Sequence, residues 1–75
     1  MEDFERVEMT PENLYNMLPE GTFYLEPTIN RIRQYDPYQR FPKPRYHLYE
    51  VLSAWYSLVM SRRISTDGYE ASKIQ

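Results

Sequence analysis

Between Pro44 and Gly68 the chain contains no proline or glycine, and apolar residues recur through that window at helical spacing. Leu48, Val51, Leu52, Trp55, Leu58 and Val59 follow the i, i+3, i+4, i+7 pattern that places side chains on one side of a helix. Glu50, Ser53, Ser57 and Ser61 fall mostly on the other side. Pro44 suits the first helical turn, and Arg62 and Arg63 would sit in the last one, where cations complement the dipole. The spacing therefore predicts one long amphipathic helix around which everything else must pack. Tyr49, Tyr56 and Met60 widen its apolar stripe beyond what so short a chain needs to cover. Part of the stripe is expected either to pack on Phe23, Tyr24 and Leu25 or to meet another chain.

The 75 residues leave room for one domain and a marginal core. Chains of this size usually add disulfides, a metal or self-association. There is no cysteine, and His47 is the only histidine, so neither a disulfide nor a structural zinc site is expected. Helix packing or association remains. A secreted domain this small would normally carry disulfides, and the opening Met1-Glu2-Asp3-Phe4-Glu5 lacks the basic and apolar regions of a signal peptide. An intracellular, cytoplasmic protein is expected. The apolar-rich stretch from Leu48 to Met60 falls short of the ~20 residues that span a bilayer.

Residues 1–9 read as an acidic, flexible arm, 10–64 as a helical core domain, and 65–75 as a tail. Thr10-Pro11-Glu12 opens a short helix, Pro11 to Leu18: threonine at the N-cap, proline at the first position and an acid beside the dipole's positive end. Met9 and Leu14 occupy the positions of a hydrophobic staple. Thr22 to Glu26 is β-leaning, and reads as an extended connector or an edge strand awaiting a partner. A second short helix is expected from a Thr28 cap to about Tyr35, with Ile29 and Ile32 on one face. Asp36-Pro37 stops it. From residue 36 to 44, three prolines favour an extended arm. In the tail, Asp67-Gly68 suits a type I′ turn between two short strands, but Asp67 with Glu70 equally suits a capping box on a terminal helical turn. The helical turn is the expectation here. The fold class that follows is mainly α: a small single domain with two short helices, at most a short extended segment, and one long C-terminal amphipathic helix.

Charge is segregated along the chain. Residues 1–27 hold seven acids against Arg6, residues 28–47 hold five bases against Asp36, and the remainder is balanced. Acidic and basic segments facing each other across the fold would explain this plainly, and a partner that reads one of them would explain it as well.

Nothing in the sequence points to catalysis. There is no nucleophile elbow, no cysteine and no glycine-rich phosphate loop. The N-terminal acids sit in an arm that cannot hold the fixed separation an acid–base pair requires. No enzyme activity, cofactor or metal is expected. What stands out is the interleaving of bases and aromatics at Arg31, Arg33, Tyr35, Tyr38, Arg40, Phe41 and Arg45, continued on the helix by Tyr49 and Tyr56. Arginine and tyrosine are enriched at protein–protein hot spots, and eight tyrosines exceed what this core can bury. The expectation is a small protein-binding module acting through these nine residues as an adaptor, accessory subunit or inhibitor. Compact, charge-segregated chains of this style are common among virus-encoded factors that block a host protein. Two other readings are open: a single-stranded nucleic-acid-binding protein using residues 31–46, since basic grooves with aromatic platforms bind such strands, and a structural homo-oligomer such as a homodimer. No membrane partner is expected.

Overall fold

A computed structural model describes residues 8–34 and 45–74. Most of the acidic arm and all of the proline-rich arm lie outside them. Among the described residues the order is α1 (Pro11–Met17), β1 (Thr22–Tyr24), α2 (Leu25–Arg33), α3 (Leu48–Met60), β2 (Ile64–Thr66) and β3 (Glu70–Lys73). This corrects the expectation of a mainly α fold closed by a long C-terminal helix. The longest helix has 13 residues, and two strands follow it. With β1 they form a three-stranded antiparallel sheet in the order β1-β3-β2.

The first helix forms where local chemistry places it. Thr10 accepts a hydrogen bond from the Asn13 N–H at 3.1 Å, satisfying one of the donors that a helix start leaves unpaired. Met9 packs against the core that contains Leu14. The second helix begins earlier than Thr28, directly from the end of β1. Glu26 precedes a proline and should avoid the α region, yet the helix includes it. Two features offset that bias. Pro27 lies in the first turn, where its missing N–H would have had no helical partner, and the Leu25 N–H donates to the Tyr69 carbonyl at 2.8 Å. Thr28, the expected cap, is instead buried.

Helix α3 starts at Leu48 rather than near Pro44. Just before it, the chain is tied across to the end of α2: the Arg45 N–H donates to the Arg33 carbonyl at 2.6 Å, and the Arg33 Nε donates to the Tyr46 carbonyl at 3.1 Å. Tyr46 itself is buried. The His47 N–H then donates to Glu50 Oε1 at 2.9 Å, a start of the capping-box type. At the other end, the Arg62 N–H donates to the Val59 carbonyl at 3.0 Å and the Arg63 N–H to the Leu58 carbonyl at 2.9 Å. That is a Schellman ending with Arg62, at φ 63°, in the left-handed place usually held by glycine. Arg62 and Arg63 therefore lie beyond the helix and not in its last turn.

The tail is a hairpin. A three-residue loop, 67–69, joins β2 to β3, so the terminal helical turn is also corrected. Nor is the turn of type I′, which needs positive φ at both central residues; Gly68 has φ 96°, while Asp67 is not among the residues with positive φ. β3 is central, pairing Phe23 with Ala71 on one side and Thr66 with Ala71 on the other.

Phe23, Ile64 and Ala71 face inward from the sheet and meet Leu14 of α1, Leu18 just after it, Ile29 of α2, and Val51, Ala54, Trp55 and Leu58 of α3. The Phe23 and Trp55 rings pack edge to face, with centroids 6.2 Å apart. Among the described residues, no helix is long and apolar enough to cross a membrane.

Candidate interaction surface

The side of α3 that the core uses is narrow: Val51, Ala54, Trp55 and Leu58, spaced i, i+3, i+4, i+7. Leu52 and Val59 are only half-buried and Leu48 is exposed. The remaining apolar residues form a second row. Leu48, Leu52, Tyr56 and Met60 are four apart, so they line up along one ridge of the helix, with Tyr49 and Ser53 beside them. Tyr49, Tyr56 and Met60 are 77 %, 61 % and 82 % exposed. Among the described residues, α2 borders this side at Leu48 and Leu52 and the start of α1 borders it at Tyr49 and Ser53, while Tyr56 and Met60 stand clear.

The row continues onto the hairpin loop. Leu48 and Leu52 share an apolar groove of about 280 Å³ with Leu25, Ile29 and Tyr69, and Glu26 and Arg33 stand among its lining residues. A second groove of about 380 Å³ runs over Leu48, Tyr49, Leu52, Ser53 and Tyr56. Tyr69 is held against Tyr24, their ring centroids 5.3 Å apart. Leu48 and Leu52 line both grooves, so a mostly apolar and aromatic surface runs from Tyr69 to Tyr56, with Glu26, Asn30 and Arg33 along its α2 side.

Tyr69 is presented by a loop fixed from within. The Asp67 carboxylate accepts the Glu70 N–H at 2.8 Å and the Tyr69 N–H at 2.9 Å. These two bonds, the Glu70 bond foremost, hold Asp67 below the usual carboxylate range. The Thr66 hydroxyl donates to the Glu70 carbonyl and accepts the Gly68 N–H.

Of the nine site residues expected from sequence, Tyr49 and Tyr56 lie on this surface, 77 % and 61 % exposed. Arg31 is exposed on α2. Arg33 and Arg45 take part in the ties that bring the chain back to α3. Tyr35, Tyr38, Arg40 and Phe41 lie outside the described residues. Sequence reasoning missed Leu48 and Leu52, taken for core, and Tyr24 and Tyr69 across the sheet. The four-residue spacing of 48, 52, 56 and 60 was the available signal for the first two. Nothing local marks the tyrosine pair, which the β1–β3 register brings together.

The charge segregation also resolves partly. Glu12 accepts from Arg63 and Glu20 from Lys73, each at 2.8 Å. Both cations lie over the Tyr15 ring, at 4.1 and 4.6 Å from its centroid. The Glu12 hydrogen bond raises Arg63 above its ordinary value. Two N-terminal acids thus pair with bases of the C-terminal hairpin rather than with the middle third.

Among the described residues, no three His, Cys, Asp or Glu side chains converge on a point that would hold a metal ion. Comparison with protein-family models, curated proteins and solved structures gives no match.

Proposed function

We propose that the chain is a small non-enzymatic protein-binding module, an adaptor, accessory subunit or inhibitor, whose contact surface is the outer ridge of α3 together with Tyr69 and Tyr24. The observation that carries this is the exposure of Tyr49, Tyr56 and Met60 on a helix whose opposite side is fully buried. Isolated surface apolar residues are ordinary, but a contiguous aromatic patch beside two grooves is what protein partners use. Tyrosine suits the role, giving rigid apolar area with a polar tip. A nucleic-acid reading fits this surface less well. Phosphate needs cations beside the stacking rings; the ridge itself carries none, and Arg33 in the adjoining groove is engaged with the Tyr46 carbonyl. A cytoplasmic location accords with this reading, since a small secreted domain would normally carry disulfides.

A photo-crosslinking residue tests the reading in the cell that makes the chain: benzoylphenylalanine in place of Tyr56, with the same residue in place of Asn16, on the exposed side of α1, as control. A protein adduct of defined mass from position 56 and none from position 16 is the expected result. No adduct from position 56, or the same adducts from both, would overturn the assignment.

A further inference from the structure

We propose that this surface takes a second copy of the chain, two α3 ridges packing against each other about a two-fold axis. The inference rests on reading the surface as a protein interface and names its partner.

Area is the first argument. Tyr24, Tyr49, Tyr56 and Tyr69 are between 51 % and 77 % exposed, which at roughly 200 Å² per tyrosine leaves about 500 Å² of aromatic surface. Leu48, Leu52 and Met60 extend it. The largest apolar patch of a typical monomer is ~300–600 Å², and each partner of a stable complex contributes ~800 Å². Tyrosines and apolar neighbours together exceed the middle of the first range and approach the second figure.

Charge is the second. The ridge and its neighbours, Leu48, Tyr49, Leu52, Ser53, Tyr56 and Met60, include no Asp, Glu, Lys, Arg or His. The one charged residue of α3, Glu50, is occupied with the His47 N–H. An isologous contact sets a patch against itself, so any charge near the axis meets its own image, and like charges opposed across an interface are costly. The ridge has none to oppose, and the two charged residues that line the adjoining groove, Glu26 and Arg33, are of opposite sign. A partner recognised through charge would find nothing on the ridge to pair with.

Geometry is the third. Rows of side chains four apart on two helices interdigitate in the commonest class of helix packing, and α3 presents such a row, half-buried at Leu52 and exposed at Leu48, Tyr56 and Met60. Size adds a reason for the pairing. A 75-residue chain without disulfides has a marginal core, and association is one of the few remaining ways to reinforce it.

Sedimentation velocity on the purified full chain is the test, run from about 1 μM to about 1 mM so as to bracket weak and moderate association. The wild type should pass from one chain mass toward two as concentration rises. Tyr56→Glu should shift that transition to at least about tenfold higher concentration, as expected for a hot-spot position, while keeping the helical circular-dichroism signal. Asn16→Lys should leave it unchanged. Should Tyr56→Glu lose its helical signal, Tyr49→Ser and Met60→Gln, both at highly exposed positions, give the same reading. Association that is indifferent to these substitutions overturns the assignment of the surface. A folded wild type that stays monomeric at about 1 mM overturns self-pairing. In that case the residue-56 crosslinker separates the two claims: an adduct with a different protein leaves the interface standing with another partner, and no adduct removes both.

Discussion

Arg62 holds a left-handed backbone, φ 63°, so that its own N–H and that of Arg63 can close the last turn of α3. An L-residue there carries a steric penalty of roughly 1–2 kcal/mol that glycine avoids, partly offset because glycine loses more freedom on folding. Arg62→Gly should therefore stabilise the chain by up to about 1 kcal/mol in urea unfolding; a loss of stability would show that the side chain matters more than the backbone. Asp67 is the other residue whose role is local. Its carboxylate is held below the usual range by the Glu70 and Tyr69 N–H groups, so it binds a proton less readily folded than unfolded. Its contribution is complete above the unfolded value near 4 and is lost as pH falls through the lower folded value. Asp67→Ala should thus lower the melting temperature at neutral pH, and the gap from wild type should shrink as pH drops below about 4. A gap constant from neutral to strongly acidic pH would contradict this.

The elements differ in how far their own residues specify them. Helix α1 was legible because Thr10 and Pro11 act within one turn. So was the existence of α3, whose buried stripe is periodic. The hairpin was not, and Asp67 shows why. Its bonds to the N–H groups two and three residues on are the ones an N-cap aspartate would make, so local chemistry favours a helical turn and a hairpin loop equally. The choice is made by β1, through the Phe23–Ala71 and Thr22–Ser72 pairs, which are remote in sequence. The start of α2 depends on the same pairing, since its first N–H finds its acceptor at Tyr69. The end of α3 was missed because no glycine marks it. If β3 is the central strand, its amides should exchange with solvent more slowly than those of β2, which is bonded on one side only. Hydrogen-exchange NMR checks this, and rapid exchange throughout 70–73 would count against the sheet.

At the scale of the whole molecule, a thin core supports a broad open face. Leu58 is 1 % exposed at the centre of that core, and Leu58→Ala should cost about 2–5 kcal/mol. Chains of this length have roughly 4–11 kcal/mol in total, so thermal unfolding should show either a steep fall in melting temperature or no folded state at all. A loss below about 1 kcal/mol would mean that the core is not the one described. The clasp of Glu12, Arg63, Tyr15, Lys73 and Glu20 joins α1 to the hairpin, and on α3 Tyr49, Tyr56 and Met60 remain exposed. Part of the candidate site was legible, because tyrosine excess and a stripe wider than the core needs are visible in residue types and spacing. The contribution of Tyr24 and Tyr69 was not, since it arises only once the sheet has formed.

The central claim is that the Leu48–Leu52–Tyr56–Met60 ridge meets protein, and specifically its own copy. Isotope-filtered NOE spectroscopy on a mixture of labelled and unlabelled chains at about 1 mM, a concentration that populates even weak dimers, tests this most directly. The expected result is a set of intermolecular contacts between the Leu48, Leu52 and Met60 methyl groups and the rings of Tyr49 and Tyr56. A well-dispersed spectrum of the folded chain with no intermolecular contact from the ridge would contradict it.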